Sequence, residues 1–186
     1  MTTSIDRLHD GRTYSVFIAA ADDCEKLRDA AVSVFDSQNK ILNRKNLPHF
    51  PSQKFSVFDW RTNKKAGHAQ GKFQDQIFDD AALLWGKPEC DILVLILWCK
   101  FGTDTKREYE KYAPGCQALL VCHYNEPVGP LDLIEMKIDS LFEWIQPHRA
   151  NWAEISTVRG SIRDITAFQS ALGEAVGNFI FSSEGS

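Results

Sequence analysis

The residues best suited to chemistry lie in the stretch 98–110, directly after a strongly apolar run. We expect a helix to begin there, and its first turns contain two carboxylates, Glu108 and Glu110. Because these residues are two apart, only one can face a cleft at the end of the preceding strand. A carboxylate in that position could hydrogen-bond a ribose or stabilise an oxocarbenium ion at a glycosidic carbon. The spacing alone leaves a second interpretation open, in which 106–111 is the solvated face of a charged helix.

Further candidate ligand-binding residues follow the other predicted strands. Trp60 and Trp98 each close a strand, where an indole ring could stack on a base or a nicotinamide ring, although packing over the core is the commoner role for each. Gln74 and Gln76 begin a predicted helix and are expected to face solvent, with a ligand role for Gln76 as the less common alternative. The full set of candidate ligand contacts is Ala20, Asp22, Trp60, Gln76, Trp98, Phe101 and Thr103.

Several motifs of nucleotide-binding and hydrolytic enzymes are absent from the sequence. The first strand is followed by three alanines and two aspartates (19–23), without the glycine-rich fingerprint of a dinucleotide site. The chain also lacks G-x-x-x-x-G-K-[ST] and G-x-S-x-G, which argues against a P-loop NTPase and an α/β-hydrolase. The five histidines show no metal-ligand spacing. We therefore expect neither a metal nor a resident cofactor.

Composition and charge are typical of one globular domain. The chain has 186 residues, of which 44% are apolar and 25% charged, and a net charge of -4. This length favours a single domain over 1–186, with its core at about 14–181. The negative balance does not predict a general nucleic-acid surface. The longest apolar run, 92–98, is too short to span a bilayer, which needs about 20 helical residues.

The N-terminus and the cysteines indicate the compartment. Residues 1–14 are polar and carry both charge signs, without the apolar segment of a signal peptide. The cysteines are odd in number and none are spaced as C-x-x-C, which predicts reduced, partly buried thiols. They are Cys24, Cys90, Cys99, Cys116 and Cys122. Both features favour a cytoplasmic protein without a membrane segment.

Strand-like and helix-like segments alternate along the chain. Short β-rich runs predict strands, and apolar residues at helical spacing predict the helices between them. This alternation indicates an α/β domain with right-handed βαβ units and a five-stranded, mainly parallel sheet in the flavodoxin-like order 2-1-3-4-5. Ligands of such sheets bind beyond the carboxyl ends of the strands. The strands are predicted at 14–20, 54–60, 91–98, 117–122 and 153–158, and the helices at 22–39, 73–85, 105–112, 131–145 and 161–181.

Several of these segments, taken in order, resemble the TIR-like domains at the N-termini of bacterial antiviral STAND NTPases. The resemblance covers about 14–181, and its most specific part is 91–113. The segments that carry it are Val16-Phe-Ile, Asp59-Trp60, Gln74-Asp-Gln-Ile, Asp91-Ile-Leu-Val-Leu-Ile-Leu-Trp98, Phe101-Gly-Thr103 and Glu108-Tyr-Glu-Lys-Tyr-Ala113.

The resemblance implies a TIR-like relative of the flavodoxin sheet. Some TIR relatives cleave the nicotinamide–ribose bond of NAD with a glutamate from the helix after the third strand. The matching residue here is Glu108, which precedes the aromatic Tyr109. NAD or a related nucleotide would then be the substrate, and self-association or a STAND-type defence protein would supply the partner.

Two other functions remain open. Other TIR relatives only bind proteins, so the chain could be a non-catalytic interaction and assembly module. A weaker alternative is an enzyme similar to the nucleoside deoxyribosyltransferases. Alanines at 19–21 stand where the family usually has serines, which favours the module. The placement of Glu108 and Trp98 favours the enzyme.

Overall fold

A computed structural model describes residues 12–44, 54–63, 73–98, 102–123, 157–158 and 164–183. Strands and helices alternate along these segments, as the hydrophobic pattern predicts. The strands are β1 Thr13–Ala20, β2 Lys54–Phe58, β3 Ile92–Leu97, β4 Ala118–His123 and the two-residue β5 Thr157–Val158. The helices are α1 Glu25–Arg44, the single turn α2 Trp60–Asn63, α3 Phe73–Trp85, α4 Thr103–Tyr112 and α5 Ile165–Ser183.

All pairings between the described strands are parallel. β1 lies between β2 and β3, and β4 pairs with the other side of β3. Thr157 and Val158 pair with the far side of β4. Every residue of β3 is buried, as expected of a strand covered on both faces. The predicted α/β class with a parallel sheet is confirmed, whereas most of the predicted strand 153–158 and the predicted helix 131–145 lie outside the described residues.

The two faces of the sheet bury separate hydrophobic clusters, because successive side chains of a strand point to opposite faces. One cluster joins the sheet to α1 and α5, and the other joins it to α3 and α4. The first contains Val16, Ile18, Val94, Ile96, Leu120, Phe35 and Leu172, and the second contains Phe17, Leu93, Leu95, Val121, Ile77, Ala81 and Tyr112.

Several element boundaries differ from the prediction, and two of these differences have a visible cause. α1 continues to Arg44, through residues that the sequence predicts as a loop, because Leu42 still packs against the first cluster. In the same helix Asn39 exchanges two hydrogen bonds with the backbone of Phe55, at 2.7 and 2.9 Å, and so ties α1 to β2. β2 ends at Phe58, before the predicted end at Trp60, because the Asp59 carboxylate accepts the Arg61 N–H and starts α2.

A buried aspartate organises the amino end of the sheet. Asp91, just before β3, accepts hydrogen bonds from the backbone and hydroxyl of Ser15 in β1, each at 2.8 Å. Lys87 and Gln117 donate to the same carboxylate at 2.7 Å. Burial raises the pKa of Asp91, but the bonds from Lys87 and Ser15 outweigh it, so the net pKa lies below the ordinary value. Asp91 therefore links β1, the start of β3 and the residue that precedes β4.

The described cysteines are free thiols: Cys24, Cys90, Cys116 and Cys122. Burial raises the pKa of Cys90 and Cys122, which makes both thiols poor nucleophiles. Cys99 lies outside the described residues. None of the described helices combines the length and the apolar composition that crossing a membrane requires.

Candidate functional site

A buried glutamate lies at the carboxyl end of the sheet. α4 begins six residues after the end of β3, and its inward stripe consists of Thr105, Glu108 and Tyr112. Glu108 is only 6% exposed. Its Oε1 accepts a hydrogen bond from Gln74 Nε2 at 3.0 Å. Gln74 lies in the first turn of α3, so the contact joins the helices that precede and follow β3.

The environment of Glu108 disfavours its charged form. Burial raises the pKa of Glu108 to about 7, although the hydrogen bond from Gln74 and the positive charge of Arg28 act in the opposite direction. The charge of Asp104 adds a smaller increase. Gln74 is the one hydrogen-bond donor to this carboxyl among the described residues, and it is neutral. Glu108 is therefore poised to change its protonation state near neutral pH.

Two predictions about these polar side chains are wrong. The interpretation of 106–111 as a wholly solvated face fails at Glu108, which is buried, although Glu110 is exposed. Gln74 is 3% exposed and not solvent-facing, whereas Gln76 is exposed on the outer side of α3. The helical pattern contained the signal for Gln74, because it lies three and seven residues before the core residues Ile77 and Ala81.

Arg28 is a second buried charge at this edge, and the sequence analysis missed it. It lies in the second turn of α1, is 6% exposed, and donates a hydrogen bond to the carbonyl oxygen of Ala20 at the end of β1. Its guanidinium carbon lies 6.0 Å from the centre of the Trp60 ring. A cation at that distance is attracted to an aromatic face. The signal was its helical spacing from Ala31 and Phe35, which share the buried side of α1.

An ion-pair cluster closes the same edge beyond β2. The Arg61 guanidinium donates to both oxygens of Asp59, at 3.0 and 2.8 Å, and also contacts Asp29 of α1 at 2.7 Å. Burial raises the pKa of Asp59, but the bonds from Arg61 outweigh it, so the net pKa lies below the ordinary value. Asp59 is therefore already paired with a cation, Arg61.

The remaining predicted contacts are distributed unevenly around the edge. Trp60 is half-buried against the second cluster, and Trp98 is half-buried against both clusters. Thr103, the first residue of α4, is exposed. Asp22 belongs to a short 3-10 turn before α1, but its side chain is outside the described residues, as is all of Phe101. The structure thus brings Ala20, Trp60 and Glu108 to one edge and places Gln76 on the outside.

The assembled side chains are a carboxyl group, an amide, a guanidinium and an indole. Within the described segments, no group of three or more histidine, cysteine, aspartate or glutamate side chains could hold a metal ion. Comparisons with protein-family models and with curated proteins give no match for this chain. A buried carboxylate at this edge can stabilise a developing positive charge or accept a proton from water.

Proposed function

We propose that this chain is a TIR-like effector domain that hydrolyses the N-glycosidic bond of NAD or a related nucleotide, with Glu108 as the catalytic residue. One observation carries the proposal: Glu108 is buried at the carboxyl edge of the sheet with a single neutral donor. A helix packed on a sheet gains stability from an apolar residue at such a position. A carboxylate there is costly, and its retention is explained by a task at the site.

The proposed reaction uses the negative charge of Glu108. The bond between the ribose C1′ and the nicotinamide nitrogen breaks, and its electron pair leaves with the nicotinamide. The carboxylate of Glu108 stabilises the ribosyl oxocarbenium ion that remains. The oxygen of a water molecule then adds to C1′, and the water loses one proton. Glu108 accepts that proton as a general base and releases it to solvent, which its pKa of about 7 permits.

At the carboxyl edge of the sheet, we expect Trp60 to stack on the nicotinamide or the adenine ring. Its indole is half-buried, and the cation of Arg28 lies against one of its faces. Aromatic rings fixed in this way suit flat ligands, because stacking then costs little side-chain freedom. We include Trp98, Phe101, Thr103 and the segment with Asp22 as further contacts of the ligand.

The proposal extends to the finer fold and to the setting of the protein. We propose a full fifth strand near 153–158, which would complete the flavodoxin-like and TIR-like order 2-1-3-4-5. Support comes from the parallel pairing of Thr157 and Val158 with β4. We further propose a cytoplasmic protein that associates with itself or with a STAND-type defence protein and binds no nucleic acid. The net charge of -4 is consistent with that last point.

The interaction module is the second candidate, and two exposed leucines favour it. Leu83 and Leu84, near the end of α3, are 66% and 45% exposed. Adjacent exposed leucines suit contact with another protein. In this case the helices and loops would assemble with a partner, and Glu108 would not turn over a nucleotide.

Nicotinamide release from NAD tests the proposal. We expect activity from concentrated protein, or from protein clustered through an oligomeric tag, since such sites often need self-association. Glu108→Gln keeps the shape and the Gln74 contact but removes the charge, and it should lower the rate at least about 100-fold. Glu110→Gln changes an exposed carboxylate on the same helix and should leave the rate nearly unchanged. Inactive clustered wild type, or equal losses in both variants, would contradict a catalytic Glu108.

A further inference from the structure

Arg28 is buried to an extent that its hydrogen bonds do not explain. The side chain is 6% exposed, and the one hydrogen bond of its guanidinium among the described residues is to the Ala20 carbonyl. Its Nε–H is buried and has no acceptor there. Buried arginines are usually paired with carboxylates through several bonds. This one has no carboxylate within ion-pair distance in the described part of the chain, so stability alone does not account for it.

Arg28 interacts with residues from three elements of the proposed site. Ala20 ends β1, Trp60 follows β2, and Glu108 projects from α4. The guanidinium bonds the first, lies 6.0 Å from the ring centre of the second, and acts on the third through its charge. Asp59 also feels this charge, but Arg61 already bonds both oxygens of Asp59. Glu108 has no such paired cation among the described residues, so Arg28 is the cation that acts on it.

We propose that Arg28 is a positioning residue of this site, whose guanidinium fixes the Trp60 ring for stacking and supplies the positive field that makes Glu108 available as a carboxylate. The role rests on the function proposed above. It differs from that of an ion-pair partner, because Glu108 Oε1 is bonded to Gln74 and Oε2 accepts no bond from the described residues. Arg28 favours the charge of Glu108 without occupying its oxygens, and the second oxygen is left for a ligand.

The other charged and titratable groups around Glu108 cannot supply this field. Asp104 and Tyr112 belong to α4, and the charge of Asp104 disfavours ionisation of Glu108. The hydroxyl of Tyr112 is buried, and its pKa is raised, mainly by burial, so it stays neutral. From α3 the contact is the neutral amide of Gln74. Arg28 is thus the one cation that acts on Glu108 from the described residues.

Two substitutions at position 28 separate charge from packing. Arg28→Gln removes the charge but keeps an amide that can donate to the Ala20 carbonyl. Arg28→Lys keeps the charge and the donor but loses the planar group beside Trp60. The probe is the titration of the Glu108 carboxyl carbon by NMR, with ¹³C-labelled glutamate and Glu108→Gln to assign the signal. Circular dichroism establishes that each variant is folded.

We expect Arg28→Gln to raise the titration midpoint of Glu108 by about one pH unit or more. Arg28→Lys should leave the midpoint close to that of the wild type, and in an active protein it should raise KM more than it lowers kcat. An unchanged midpoint in Arg28→Gln would overturn the proposal. A midpoint raised by one pH unit in Arg28→Lys would also overturn the proposal. This second variant keeps the proposal testable if Arg28→Gln does not fold. Because the titration needs no turnover, its failure is distinguishable from a failure of NAD cleavage.

Discussion

Two buried carboxylates lie at opposite ends of β3, and their surroundings differ. Asp91, at the amino end, accepts bonds from the Ser15 backbone and hydroxyl, from Lys87 and from Gln117. Glu108, at the carboxyl end, accepts one bond from the neutral Gln74. Both residues are 6% exposed, but Glu108 is enclosed more completely by protein than Asp91 is. The number and charge of their donors differ as well.

The ionised form of Asp91 is favoured by its surroundings in the fold, whereas the ionised form of Glu108 is disfavoured. The donors of Asp91 more than offset its burial, and its pKa lies below the ordinary value. The surroundings of Glu108 compensate its burial only in part, and its pKa rises to about 7. An incompletely compensated buried group costs stability, which proteins accept most readily at functional sites. We therefore infer that the amino end of the sheet serves stability and propose that the carboxyl end serves function.

The largest expected effect concerns the structural end. Asp91→Ala leaves the Ser15 N–H and hydroxyl buried without an acceptor, and it should lower the free energy of unfolding by about 4 kcal/mol. Asp91→Asn keeps an acceptor oxygen and should lose less. Urea denaturation measures both variants. A loss below about 1 kcal/mol in Asp91→Ala would show that the donors of Asp91 find other acceptors. The contrast between a stabilising Asp91 and a destabilising Glu108 would then no longer hold.

The next effect is the pH dependence of stability at the functional end. Because the folded-state pKa of Glu108, about 7, exceeds the ordinary 4.5, the folded protein binds more protons between these values. The contribution of Glu108 to the free energy of unfolding is fully present below pH 4.5. It is lost as the pH rises to about 7, and the total loss is up to about 3 kcal/mol.

Glu108→Gln removes this titration and leaves all others in place. It should therefore have nearly the stability of the wild type at pH 5 and exceed it at pH 8, as measured by urea denaturation at both values. A difference between the two proteins that does not change from pH 5 to pH 8 would contradict an elevated pKa of Glu108. A Glu108→Gln variant that is less stable than the wild type at pH 8 would also contradict it.

A smaller effect is expected from the amide that bonds Glu108. Gln74→Ala removes the one described donor and should lower the free energy of unfolding at pH 8 by about 1 kcal/mol, where Glu108 is ionised. Gln76→Ala, two residues along the same helix, changes an exposed side chain and should stay within about 0.5 kcal/mol of the wild type. Equal effects of the two substitutions would place Gln74 in solvent, as its polar character first suggested.

The sequence predicted the elements better than the polar contacts within the site. β3 and α3 are found within a residue or two of their predicted bounds. β3 is a continuous apolar run, and α3 has apolar residues at regular helical spacing, so both signals are clear. The helix after the central strand was expected to bring Glu108 or Glu110 to the carboxyl edge, and the resemblance to TIR-like domains selected Glu108. Gln74 and Arg28 were missed although both lie on apolar stripes, because helical spacing does not show which polar residue of a stripe is buried. Their burial depends on tertiary packing, which a local pattern does not contain.

The NMR titration of Glu108 with bound nucleotide tests most directly the claim that this carboxylate serves a cationic ligand. A suitable ligand is an NAD analogue whose ribose ring oxygen is replaced by carbon, so that it is not cleaved. The control is its dihydro form, which has an uncharged nicotinamide ring. We predict that the charged form lowers the midpoint of Glu108 from about 7, because a cation beside the carboxylate favours ionisation, and that the dihydro form does not. A free-protein midpoint near the ordinary 4.5, or equal shifts with both ligands, would contradict the account.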